Sequence, residues 1–169
     1  LHRSFRKPLV LMTPKSLLRH KLAISDVEDF TTGSSFHRVL WDDAEKGHSD
    51  TKLVADDKVK RVVLCSGKVY YDLLEERDAR GIDDVYLMRI EQFYPFPVMS
   101  LAKELERFKN AEFVWCQEEP VNQGAWYSSQ HHMRRVIHNH HEDIYLRFVG
   151  REASAAPAAG YMALHLEQQ

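Results

Sequence analysis

The apolar positions of the chain fall into two regimes. From Arg61 onward, short and nearly continuous apolar runs alternate with stretches of helical spacing. "RVVLC" (Arg61 to Cys65), "VYLMRI" (Val85 to Ile90), "EFVWC" (Glu112 to Cys116) and "IYLRFV" (Ile144 to Val149) read as strands. Runs that are continuous rather than alternating are the pattern of strands covered on both faces. Between them, Lys68 to Arg80, Pro97 to Phe108 and about Ala125 to Asn139 read as helices. A last helix is expected from Ala156 to Glu167, with Pro157 in its first turn. In the second helix Val98, Leu101, Ala102, Leu105 and Phe108 recur at helical spacing and define a buried stripe. Strands that alternate with helices in this way predict an α/β fold with a parallel sheet between helical layers.

The first third of the chain is less regular. The run Leu9 to Met12, closed by Thr13-Pro14, predicts a buried strand, followed by a helical turn at Lys15 to Leu18. Ser25 to Lys60 is polar, carries Gly and Ser clusters and includes "DDAEKGHSD" at Asp42 to Asp50. It reads as a long irregular connection with a short helix near Val27 to Phe30.

Composition narrows the class. A chain of 169 residues, 44% hydrophobic and 28% charged, is expected to fold as a single globular domain. A formal net charge of -2 supplies no bulk basic field for nucleic acid. No apolar run approaches the roughly 18 residues that a membrane-spanning helix needs. The basic start "LHRSFRKPLVLM" precedes an apolar run too short for a signal peptide. The chain opens on Leu1 rather than Met, so it is expected to be a piece of a longer polypeptide. Cys65 and Cys116 each end an apolar run and are expected to be buried, reduced thiols of a cytosolic type of compartment.

In open α/β sheets, ligands gather at the carboxyl ends of strands. Four loops begin there: Ser66-Gly67-Lys68, Glu91-Gln92-Phe93, Gln117 to Gly124, and Gly150 to Ser154. Ser66 reads either as the N-cap of the following helix or, with Lys68 and Arg151, as part of an anion site. Neither the P-loop signature nor G-x-G-x-x-G occurs. Glu118 and Glu119 could be an acid–base pair, but neighbours in an extended chain point apart, which favours two separate structural or interface carboxylates. Trp126 and Tyr127, near a helix start, are candidate core or interface anchors. His131, His132, His138, His140 and His141 suggest a metal cluster or a set of solvated and interface histidines. The H-E-x-x-H pattern is absent, and Arg134 and Arg135 lie among them.

Five stretches, in order, carry a resemblance: "RKPLVLMTPKSLLRHK", "RVVLCSGKVYYDL", "RIEQFYPFP", "QEEPVNQGAW" and "FVGREASAAPAAG". Together they resemble the C-terminal domain of the dehydrogenase component of the 2-oxoglutarate dehydrogenase complex, a transketolase-like thiamine diphosphate family. One departure is Glu152, where the family often has proline.

The resemblance implies a three-layer α/β sandwich of the transketolase C-terminal type: a mostly parallel five-stranded sheet, an antiparallel edge strand, and helices on both faces. For the parent enzyme it implies decarboxylation of 2-oxoglutarate on thiamine diphosphate and magnesium, then transfer of succinyl to the lipoyl arm of the succinyltransferase component in the citric acid cycle. It also implies a homodimer, in the bacterial cytoplasm or the mitochondrial matrix; from charge and hydropathy, no nucleic acid or membrane partner is expected. This sequence lacks the G-D-G motif of thiamine enzymes, so no catalytic, cofactor or metal residue is expected on it. The domain is expected to serve assembly, through Glu118, Glu119, Asn122, Gln123, Trp126 and Tyr127, or regulation, through an anionic effector at Ser66, Lys68 and Arg151. The rival is a free-standing flavodoxin-like domain that binds an anionic ligand such as a nucleotide or acyl-CoA.

Overall fold

In the computed structural model, residues 4–140 and 145–168 are described, His140 by its backbone alone. The alternating pattern folds as it reads. Five strands form one sheet: β1 (Val39–Leu40), β2 (Arg61–Cys65), β3 (Val85–Ile90), β4 (Glu112–Cys116) and β5 (Arg147–Val149). Their order is β1-β3-β2-β4-β5. β3, β2, β4 and β5 run parallel, and β1 pairs antiparallel with β3 through Val39 opposite Ile90 and Leu40 opposite Arg89.

Helix α1 (Val69–Ala79) joins β2 to β3, α2 (Val98–Leu105) joins β3 to β4, and α3 (Trp126–His140) joins β4 to β5. From β2 the chain first steps to one neighbour, β3, and then crosses back to the other, β4. Right-handed crossovers in opposite directions put their helices on opposite faces. Accordingly, Val63, Cys65, Leu87 and Cys116 pack with Val69, Tyr70 and Leu74 of α1. On the other face, Val62, Leu64, Tyr86, Met88, Phe113 and Trp115 pack with Leu101 and Leu105 of α2 and with Met133, Val136 and Ile137 of α3. Successive residues of one strand thus feed two different cores, which is why the strands are continuously apolar.

Four expectations are corrected. Residues 9–12 are not a buried strand: they carry no regular structure, and their side chains are exposed. The expected connection at 25–60 contains β1 and packs on the sheet edge, since Val39, Asp42 and Asp43 are buried. The last helix, α4, spans Met162–Gln168 rather than starting at Ala156, so Pro157 precedes it. β5 begins at Arg147, and the expected strand residue Ile144 lies outside the described residues. No helix among the described residues is long and apolar enough to cross a membrane.

Candidate functional site

The reversal of chain direction at β2 places the β2–α1 and β4–α3 loops side by side, where open sheets of this type form a crevice. An ion-pair cluster bridges the two loops. Lys68 Nζ lies 3.0 Å from Asp72 and 3.4 Å from Glu118, so one cation faces two carboxylates. Partial burial works against the lysine's charge, but Asp72 and Glu118 outweigh it and raise the Lys68 pKa. Ser66 does not cap α1: the N-cap position is Lys68, with no side-chain capping bond.

The β4–α3 loop is organised around Gln117, which is 4% exposed. Its Oε1 accepts from Trp115 Nε1 at 3.0 Å and from the Trp126 backbone N–H at 3.1 Å. Its Nε2 faces three backbone carbonyls: Glu119 (3.2 Å), Pro120 (3.0 Å) and Gln123 (2.7 Å). One amide therefore satisfies a buried indole, the first N–H of α3 and the inward carbonyls of the loop, groups that would be costly to leave unpaired. Gly124 (φ +66°) turns the chain above this amide, and a Cβ there would lie 3.1 Å from both Gln117 Oε1 and Nε2.

The same loop is clamped to the one after β5. Asn122 Nδ2 donates to the Ser154 carbonyl at 2.9 Å, and the Ser154 N–H donates back to Asn122 Oδ1 at 3.0 Å. Gln123 Nε2 donates to the same carbonyl at 3.0 Å. Arg151 points to Gln168 Oε1 (3.1 Å from Nε) and to the Pro157 carbonyl (3.2 Å) at a cavity of about 350 Å³. Among the described residues no hydrogen bond or ion pair links Arg151 to Ser66 or Lys68, so the three expected anion-site residues are not bonded to one another. Of the expected interface residues, Trp126 turns inward: it is 6% exposed, packs on Phe148 at 5.1 Å and lies under Arg134. It is a core residue. Tyr127, 62% exposed, and Glu119 face outward.

A second buried polar cluster was not legible in the sequence. Asp42 is fully buried and Arg77 is 3% exposed. Arg77 Nη1 pairs with Asp42 Oδ2, and Nη2 donates to Oδ1 at 3.0 Å. Asp42 Oδ2 also accepts the Leu87 N–H at 2.7 Å, and Arg77 donates to the Val85 carbonyl at 3.3 Å. Burial opposes the charge on Arg77, but Asp42 and Asp78 outweigh it and hold the guanidinium pKa above its ordinary value. Around the pair, Tyr70 and Tyr86 hydroxyls accept the N–H groups of Asp43 and Asp42. The only available signal was the pair of acids following an apolar dipeptide, which does not identify a partner.

The remaining candidates are plain. His131 and His132 rings are 3.9 Å apart, and His132 stacks on Phe96. His138 is exposed, while His141 and the side chain of His140 lie outside the described residues. Cys65 and Cys116 are free, buried thiols whose pKa values burial pushes up.

The fully buried carboxylate, Asp42, is held by Arg77 and two backbone N–H groups and has no free lone pairs to offer magnesium. Among the described residues, no three His, Cys, Asp or Glu side chains converge as metal ligands.

Fold and site define a three-layer α/β domain with a mostly parallel five-stranded sheet, in which an ion pair bridges the two loops at the switch point of the sheet. Residues 24–169 match the family described as 2-oxoglutarate dehydrogenase C-terminal. The chain is 56% identical over 170 residues to the 2-oxoglutarate dehydrogenase E1 component of Brucella anthropi, with 99% of this chain and 17% of the relative covered. The corresponding protein of Brucella abortus is 57% identical over 173 residues, with the same coverage. The chain belongs to the 2-oxoglutarate dehydrogenase C-terminal family. It spans about 17% of the length of these relatives.

Proposed function

We propose that this chain is the C-terminal domain of a 2-oxoglutarate dehydrogenase E1 component in a bacterial cytoplasm, and that its own role is assembly rather than bond chemistry. The observation that carries this is 56% identity to such components along 99% of the chain. The parent reaction is the oxidative decarboxylation of 2-oxoglutarate, with succinyl passed to the lipoyl group of the succinyltransferase component. Thiamine diphosphate, with magnesium, supplies the carbanion-stabilising chemistry and is held by parts of the polypeptide outside this chain.

Support for an assembly role comes from how the polar groups are used. Gln117, Asn122, Gln123 and Ser154 are engaged with one another and with backbone, which makes two strand-end loops into one rigid surface. That surface presents Glu119 and Tyr127 to the other domains of the parent chain or to its dimer partner. The anionic-effector reading of Ser66, Lys68 and Arg151 gains nothing from Lys68, whose charge is matched by Asp72 and Glu118.

The test is 2-oxoglutarate turnover by the full gene product, with ferricyanide as electron acceptor. Turnover that requires added thiamine diphosphate and magnesium is expected. A folded, cofactor-loaded polypeptide that ignores 2-oxoglutarate but oxidises another 2-oxo acid would overturn the substrate assignment.

A further inference from the structure

Cys65 and Cys116 stand side by side in the sheet. β2 and β4 are parallel neighbours whose register sets Val63 opposite Val114 and Leu64 opposite Trp115. The two cysteines are the next residue of each strand and the last of each. Neighbouring strands lie about 4.8 Å apart, within the roughly 4.4–6.8 Å between Cα atoms that a disulfide spans.

Their side chains leave the sheet on the same face. Leu64 and Trp115 pack with α2 and α3. Alternation turns the residues after them to the other side, where both cysteines share a cluster with Val69, Tyr70 and Leu74 of α1. Each is a free thiol. Burial pushes the Cys65 pKa up, and the nearby Cys116 adds to the rise. The Cys65 sulfur leans toward β3, 3.8 Å from the Met88 carbonyl. One change between staggered χ1 positions turns it from β3 toward β4.

Access separates the two. Cys65 is fully buried, whereas Cys116 is 8% exposed and lines a cavity of about 210 Å³ with Val63, Leu73, Val114 and Val149. Arg61 and Arg147 also border it, both paired with Glu112. The cavity is several times the roughly 30 Å³ of a water molecule, and its apolar walls favour a small uncharged visitor over a charged one. Hydrogen peroxide is both small and uncharged.

We propose that Cys116 and Cys65 form a redox modification site, in which hydrogen peroxide oxidises Cys116 and Cys65 closes a disulfide between β2 and β4. The Cys116 thiolate attacks one peroxide oxygen and the O–O bond breaks. The departing hydroxide takes up the proton that the thiol released and leaves as water, and Cys116 becomes a sulfenic acid. The Cys65 sulfur then attacks the Cys116 sulfur, the S–O bond breaks, and the hydroxyl leaves with the Cys65 proton as a second water. The two thiols lose two electrons and two protons, and peroxide gains both. Burial raises both thiol pKa values, so thiolate is scarce at neutral pH and the site reacts slowly. Gln117 follows Cys116 directly, and the Lys68–Glu118 ion pair bridges the loops that begin after the two cysteines. The disulfide therefore ties together the bases of both loops at the switch point of the sheet. The site is complete within this chain and does not depend on which reaction the parent polypeptide performs.

The test exposes the folded full gene product to hydrogen peroxide, blocks the remaining thiols by alkylation in denaturant, and maps the unreduced digest by mass spectrometry. A peptide that joins Cys65 to Cys116, and that separates on reduction with dithiothreitol, is expected. Cys65→Ala should abolish that peptide and leave Cys116 as a sulfenic acid that dimedone traps. Cys116→Ala should abolish it and leave Cys65 a thiol. Circular dichroism before treatment shows that each variant is folded, and the unsubstituted protein decides the crosslink without either. Two alkylated thiols after peroxide treatment, or a bond from either cysteine to a third, overturn the proposal. Dimedone on Cys65 of the Cys116→Ala variant, with none on Cys116 of the other, overturns the assigned roles.

Discussion

Asp42 and Arg77 finish the sheet edge where β1 stops. β1 pairs with only two residues of β3, and beyond them Asp42 accepts the Leu87 N–H while Arg77 donates to the Val85 carbonyl. A side-chain ion pair thus stands in for the missing length of strand and satisfies an edge that would otherwise be open to pairing with another chain.

Breaking this pair from one side should be severe. Asp42→Ala strands a buried guanidinium and two N–H groups, and a loss of about 3–5 kcal/mol is expected in urea unfolding. The double variant Asp42→Ala/Arg77→Met should lose less than the sum of the single variants, with a coupling of about 1–3 kcal/mol. Additive losses would show that the two residues do not act as a unit.

Acid should weaken the same region through Asp78. Partial burial tends to raise its pKa, but hydrogen bonds from Thr51, Ser49 and Arg77 outweigh burial and lower it below its ordinary 3.8. A depressed carboxylate contributes stability that is complete above its unfolded value and lost as pH falls through the folded value. Urea midpoints should therefore drop below about pH 4. Thr51→Val removes the bond that Thr51 Oγ1 donates to Asp78 at 2.7 Å. That variant should be less stable at pH 7 by about 1–2 kcal/mol and show a shallower acid decline. An unchanged acid profile would exclude Asp78 as its source.

Gln117 should prove a structural keystone. Gln117→Ala leaves the Trp115 indole N–H and the Trp126 N–H without an acceptor, and a cost of about 2–4 kcal/mol is expected. Residues 118–125 should also become sensitive to limited proteolysis, which a merely global loss of stability would not confine to this loop.

Two glycines lie against Gln117, one on its side-chain amide and one on its backbone carbonyl. At Gly124 a side chain is disfavoured by positive φ and by contact with Gln117, so Gly124→Ala should cost about 1–2 kcal/mol. At Gly150 a Cβ would meet Phe148 Cζ at 2.8 Å and the Gln117 carbonyl at 3.0 Å, and backbone cannot swing aside as a side-chain tip can. Gly67→Ala, where a Cβ meets nothing within 4 Å, is the control for φ alone. Thermal melts of the three variants should rank Gly67→Ala as the mildest.

The adjacent aromatics should separate folding from docking. Trp126→Ala is expected to destabilise the fold by about 3–5 kcal/mol, because the ring is buried against Phe148. Tyr127→Ala should leave thermal stability unchanged and weaken the association of full-length subunits in sedimentation. No shift in the subunit equilibrium would remove Tyr127 from the interface.

Local chemistry decided what could be read from the sequence. The spans of β2, β3 and β4 follow from uninterrupted apolar runs, and α1, α2 and α3 from helical spacing between them. Those patterns are set by which backbone period buries a residue, so each is written within a dozen positions. The parallel sheet follows from their alternation. Meetings across long separations were invisible. Asp42 finds Arg77 across 35 positions, Asn122 finds Ser154 across 32, and Tyr86 finds the Asp42 N–H across 44. Nothing in either partner's neighbourhood encodes the other; the order in which the strands assemble does. Trp126 and Tyr127 make the same point at short range. Both are large aromatics at a helix start, and only the packing of α3 against the sheet determines which enters the core. Residues 9–12 mark the opposite limit. Their run of apolar residues reads as a buried strand, yet the side chains are exposed, because burial needs a facing layer and no described element of this fold packs against them.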